Sequence, residues 1–177
     1  ALPGPLVAIR GFQSDYGEQI HERAMHLTRT LGVEPAPPLL WSVAVSNLVR
    51  GNLEEARVYG EQLQARGERD ADDVIAVQGT YVLGITTYWN AEFLAARAHF
   101  ESVIAQFKPS DRRTHLLRYG NDPAVVCKMR LAFTHWFLGH TADARSLRDE
   151  AFAEAVSHAD WFTRLGVVHF SALLSIE

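Results

Sequence analysis

Three short stretches decide the reading of this chain: Gly51-Asn52-Leu53-Glu54-Glu55-Ala56-Arg57, Ala91-Glu92-Phe93-Leu94-Ala95-Ala96-Arg97 and Gly139-His140-Thr141-Ala142-Asp143-Ala144-Arg145. Each opens on a small residue and closes, after four others, on Ala-Arg. The first two lie 40 residues apart and the next two 48 apart, the longer interval containing an irregular stretch, Lys108 to Asn121. Self-similarity at such a period marks stacked supersecondary units, each unable to bury its apolar face alone. Gly51, Ala91 and Gly139 supply a sharp reversal. Ala56, Ala96 and Ala144 supply close contact on the helix that follows each turn. Ala44, Gly84 and Ala132, seven residues before each turn, supply it on the helix that precedes.

Working outward, apolar residues recur at three- and four-residue spacing, and hairpin turn signals between alternating runs are missing. The spacing predicts helices over 15–31, 39–49, 53–66, 72–89, 92–107, 123–138 and 141–157, with another from Trp161. Three prolines make Val33 to Pro38 a turn, and Gly67 is read as the end of the third helix. Asp70 and Asp72 can cap the fourth. Asp122 is an N-cap, and Pro123 takes the first helical position, where its missing N–H costs nothing. The fold expected is all-α, an α-α superhelix of helical hairpins in a single domain, 1–177. Its full pairs are 39–66, 72–107 and 123–157, with partial pairs at 1–32 and 161–177. Leu6 to Arg10 reads as the tail of a preceding unit, and both ends of the sequence read as cuts.

Of 177 residues, 47% are hydrophobic and 21% charged, and the net charge is −4. That composition belongs to a folded protein and argues against a nucleic-acid binder, which normally carries a basic excess. The single cysteine, Cys127, lies among apolar neighbours and reads as a small buried hydrophobe in a reducing compartment. Neither a secretory signal nor an apolar run of transmembrane length is present, so a cytoplasmic location is expected without membrane contact.

The pattern of small residue, small at +7, aromatic or leucine at +9 and alanine at +12 resembles the tetratricopeptide repeat. Gly84, Ala91, Phe93, Ala96 and Phe100 form its best copy; Gly60 and Thr141 depart from it elsewhere. Glu22-Arg23-Ala24 through Leu31-Gly32, Leu40-Trp41 through Leu53, and Tyr119-Gly120-Asn121-Asp122-Pro123 with Cys127 carry a wider resemblance. They are similar to the tetratricopeptide-like region beside the ATPase module of bacterial signalling regulators, proteins that often carry adenylate/guanylate cyclase or LuxR-type DNA-binding domains. The resemblance implies a partner-binding or sensing arm of a larger cytoplasmic regulator.

Catalytic signatures are missing: neither a phosphate-cradling loop, nor a dinucleotide fingerprint, nor a nucleophile elbow occurs. The chain is therefore expected to be no enzyme and to need no cofactor. His21/His26 and His135/His140 are each five apart, where a helical zinc pair needs four, so no metal site is expected. Register places Trp41, Tyr81, Ile85, Tyr88, Trp89, Met129, Phe133 and Trp136 on the concave side, a face aromatic enough to hold a protein or peptide segment. Trp89 and Trp136, near their helix ends, are the two expected to be most exposed. Arg112, Arg113 and Arg118 are candidate ligands for an anion, such as a phosphate or an acidic partner segment, or for a small-molecule effector; the alternative is a solvated loop whose arginines pair with acids such as Asp111 and Asp122.

Overall fold

A computed structural model describes residues 15–158 and 161–175. Among them there are helices and turns without a strand. The helices are α1 (Asp15–Leu31), α2 (Pro37–Arg50), α3 (Leu53–Asp70), α4 (Asp73–Trp89), α5 (Phe93–Gln106), α6 (Arg112–Tyr119), α7 (Pro123–Phe137), α8 (Thr141–His158) and α9 (Trp161–Leu173). A single 3-10 turn, Pro109–Asp111, leads into α6. Leu6 to Arg10 falls outside the described residues. No described helix is long and apolar enough to cross a membrane.

Each helix packs on the next in sequence, apart from α5, which packs on α7 across the inserted α6, and α6 itself, which packs back on α2. Alternate helices also meet: α2 touches α4, α4 touches α7 and α7 touches α9. The small residues of the repeated turns lie where close contact needs them. Ala44, Ala56, Ala96 and Ala132 have no exposed surface, and Ala144 almost none. The turns share one backbone solution. Gly51 and Gly139 adopt left-handed φ of 81° and 84°, and Ala91 takes the same place at 59° despite its Cβ.

Four boundaries differ from the sequence reading, each for a local reason. Pro37 and Pro38 belong to α2, because a proline in the first turn gives up an N–H that has no helical partner. Gly67 does not stop α3, which continues to Asp70. It is instead a contact glycine: a Cβ there would lie 2.4 Å from the Ala76 amide nitrogen. A Cβ on Gly79 would likewise meet the Gln64 nitrogen at 2.5 Å, and one on Gly60 would touch Val82 and Leu83. The seam between α3 and α4 is thus backbone against backbone. Asp70 ends α3 and pairs with Arg66 and Arg69, leaving Asp72 alone to cap α4 through the Val74 and Ile75 amides. Finally, Lys108 to Asn121 is not irregular throughout. Its α6 ends on left-handed Gly120, and buries His115 and Tyr119, one turn apart on one face.

Candidate interaction face

The first helices of successive pairs, α4 and α7, and then α9, bring a run of aromatic rings together. Tyr88 is at the centre. Its ring lies 5.4 Å from Trp89, 5.9 Å from Phe93 and 6.2 Å from Phe137. Phe93 and Phe137 stack at 4.8 Å, nearly parallel. Phe133 meets Phe170 edge to face at 5.6 Å. At the other end Trp41 stacks on Tyr81 and takes Tyr119 edge-on at 5.8 Å.

Burial divides the eight aromatic and apolar residues expected on this face. Trp41, Ile85, Tyr88 and Met129 are core residues. They are flanked on both sides by neighbouring helices, so four of the residues expected to meet a partner instead hold the helices together. Tyr81, Phe133 and Trp136 are half-buried. Trp89 is 54% exposed, and Phe137, at 56%, rather than Trp136 is the other open ring.

Among these rings sits a residue that the periodicity did not single out. The Arg130 guanidinium lies 4.2 Å from the centroid of Phe170 and 5.4 Å from those of Tyr88 and Trp89. Each contact is an attraction between the cation and the negative face of a ring. Arg130 has no carboxylate partner among the described residues, and its Nε is buried without a hydrogen bond. Burial works against its charge, while the neighbouring Tyr81 and Tyr88 hydroxyls favour it. Burial also pushes the Tyr81 hydroxyl up to about 12. The signal available in the sequence was a cation inside the run Val125 to Phe133, otherwise apolar except for Lys128.

Beneath α6 lies a second, polar cluster. Gln78 Nε2 donates to Asn121 Oδ1 at 3.1 Å and lies 2.9 Å from His115 Nδ1. Around them Gln78 Oε1, Asn121 Nδ2, the Tyr119 hydroxyl and Trp41 Nε1 are buried without hydrogen bonds. Burial pushes the His115 imidazole down to about 4 from its ordinary 6.5, with Asp111 and Asp72 opposing and Arg118 adding to the fall. Unfolded, that imidazole takes up a proton below about pH 6.5; folded, it does so only below about pH 4. Its contribution is therefore whole above pH 6.5 and is lost as the pH falls toward 4, by at most about 3 kcal/mol. His21, His99 and His135 are also held low by burial and act with the same sign. Denaturation at pH 7 and 4.5 should show a smaller acid loss in His115→Gln than in the wild type. Equal losses would show that His115 is not the neutral buried group.

The basic residues of the inserted segment do not converge on an anion site. Arg112 Nε donates to Asp122 at 2.6 Å and its other end to Glu154 at 2.7 Å. Arg118 faces Asp72 at 3.6 Å, Lys108 pairs with Asp73, and Arg113 is exposed. The reason is distance along the fold: α6 lies between the capped starts of α4 and α7, whose aspartates reach its cations first. Cys127 is fully buried, and burial holds its thiol well above the usual range, so it is not a nucleophile here. Compared with protein-family models, with curated proteins and with solved structures, the chain finds no match in any of the three.

Proposed function

We propose that this chain is a tetratricopeptide-like interaction module that holds an acidic peptide segment across α4, α7 and α9, with Arg130 as its anchor. The observation that carries the reading is the Arg130 guanidinium, set among three rings without an acidic partner among the described residues. Arginine and aromatic side chains dominate binding energy where they are largely desolvated, and a guanidinium donates to a carboxylate in a two-pronged geometry. Exposed Trp89 and Phe137 beside it offer apolar contact for the flanking residues of such a segment. The family resemblance supplies the setting: an arm of a multidomain cytoplasmic regulator, whose partner comes from another chain or from its own ATPase module.

Selection of binders from a random peptide library tests this. Recovered peptides should carry a Glu or Asp, and Arg130→Met should weaken them by about 30-fold, the effect of one hot-spot side chain. Trp89→Ala should weaken them too, with helix content unchanged by circular dichroism. Peptides that lack acids, or that bind Arg130→Met as well as the wild type, would overturn the reading.

A second reading, a small-molecule sensor, is favoured by the polar cluster beneath α6. Its orphan donors and acceptors suit a neutral, hydroxyl-rich ligand rather than an anion. Thermal stabilisation by a sugar panel, abolished in Gln78→Leu, would favour that reading over the first.

A further inference from the structure

We propose that the turn between α7 and α8 binds a divalent transition-metal ion of the zinc, cobalt and nickel class through His135, His140 and Asp143. The site follows from the way the helix ends. The His140 amide donates to the His135 carbonyl at 2.8 Å and the Gly139 amide to the Trp136 carbonyl at 3.0 Å. This paired closure on a left-handed glycine brings together the side chains three positions before the helix cap and two after it, normally as an apolar contact. Here both are histidines, and their rings meet edge to face at 5.5 Å. The five-residue spacing, too long for two ligands on one helix face, is the spacing this turn brings together.

Asp143, in the first turn of α8, completes the set. Its Oδ2 lies 3.6 Å from His135 Nδ1 and 3.8 Å from His140 Nδ1. One ligand atom from each of the three residues falls within 4.8 Å of the others. Donors about 2.0–2.1 Å from a tetrahedral zinc ion stand roughly 3.4 Å apart, so a modest contraction closes the set. His140 and Asp143 are exposed and free to make it.

Two further observations point to a ligand. The first is His135 itself, 7% exposed, whose Nδ1 faces the carboxylate without any hydrogen bond. The second is internal comparison. Asn47/Asn52 and Thr87/Glu92 occupy the same places at the two earlier turns, with the same backbone bonds. Asn52 there closes the contact by donating to Asn47 at 3.2 Å; the two histidines make no such bond between themselves. Across the site α5 presents Arg97 and Glu101, which pair with each other at 2.8 Å. Imidazole nitrogens with one carboxylate suit this class of ion, and three protein ligands leave a fourth position for water or a partner's side chain.

The test is a cobalt(II) titration of the full chain, free of any affinity tag. One equivalent should produce visible absorption of tetrahedral cobalt, which zinc then displaces. The bands should be lost in His140→Gln and in Asp143→Asn, two exposed positions whose replacement leaves the helices intact by circular dichroism, and retained in His26→Gln. Absence of the bands, or bands that persist in His140→Gln, would overturn the assignment.

Discussion

Replacing Arg112 by Met is expected to cost about 3–5 kcal/mol of folding stability, because it strands a carboxylate with no exposure to solvent. Asp122 Oδ1 caps α7 through the Ala124 and Val125 amides, both at 3.2 Å, and its Oδ2 is held by Arg112. The same guanidinium reaches Glu154 on α8, which Lys128 of α7 also holds at 2.6 Å. The Asp122 amide, in turn, donates to Thr163 on α9. One arginine on the inserted helix therefore ties together the start of α7, the far part of α8 and, through Asp122, α9. Denaturant unfolding of Arg112→Met measures the loss. Adding Asp122→Asn should recover part of it, since the uncompensated charge is then gone. A loss below about 1 kcal/mol would mean that the helix start alone satisfies Asp122.

Phe100→Ala should be comparably severe, about 3–5 kcal/mol, the usual range for removing a buried ring. Phe100 is fully buried, lies 6.4 Å from the Tyr88 ring and fills the space that glycine leaves open at position 84. A Cβ on Gly84 would lie 2.7 Å from the Phe100 ring. The two positions are complementary, so Gly84→Ala should cost less in the Phe100→Ala background than in the wild type. A double-mutant cycle reads that coupling; additive losses would mean that the two sites do not share the space.

These residues show what was legible in the sequence. Gly84 and Phe100 belong to the repeated pattern, and the pattern placed a turn at Ala91, a residue that by itself gives no turn signal. Its left-handed φ was foreseeable only through register with Gly51 and Gly139. Gly67 shows the opposite case. Locally a glycine that ends a helix and one that lets a neighbouring backbone approach look alike, and only the position of α4 separates them. The helix α6 was hidden for a related reason: eight residues of weak periodicity are held by burying His115 and Tyr119 and by ion pairs to distant aspartates.

On the aromatic face, periodicity identified which side of α2, α4 and α7 carries the rings but not how deep each ring lies. Trp41, Tyr88 and Met129 became core because a helix flanks them on each side, whereas Trp89 and Phe137 sit at helix ends and stay open. Arg130 escaped notice because a charge in an apolar helix is ordinarily assigned to solvent. The five-residue spacing of His135 and His140 counted against their meeting because helical spacing rules stop where the helix does.

The glycine seam between α3 and α4 has a consequence for how the chain comes apart. These two helices belong to different hairpins of the sequence repeat, yet their backbones touch more closely than a side chain would permit. The cooperative unit of opening is then out of phase with the repeat. Hydrogen exchange would find the second helix of one hairpin and the first of the next protected as a single foldon, with the tight turns serving as its boundaries.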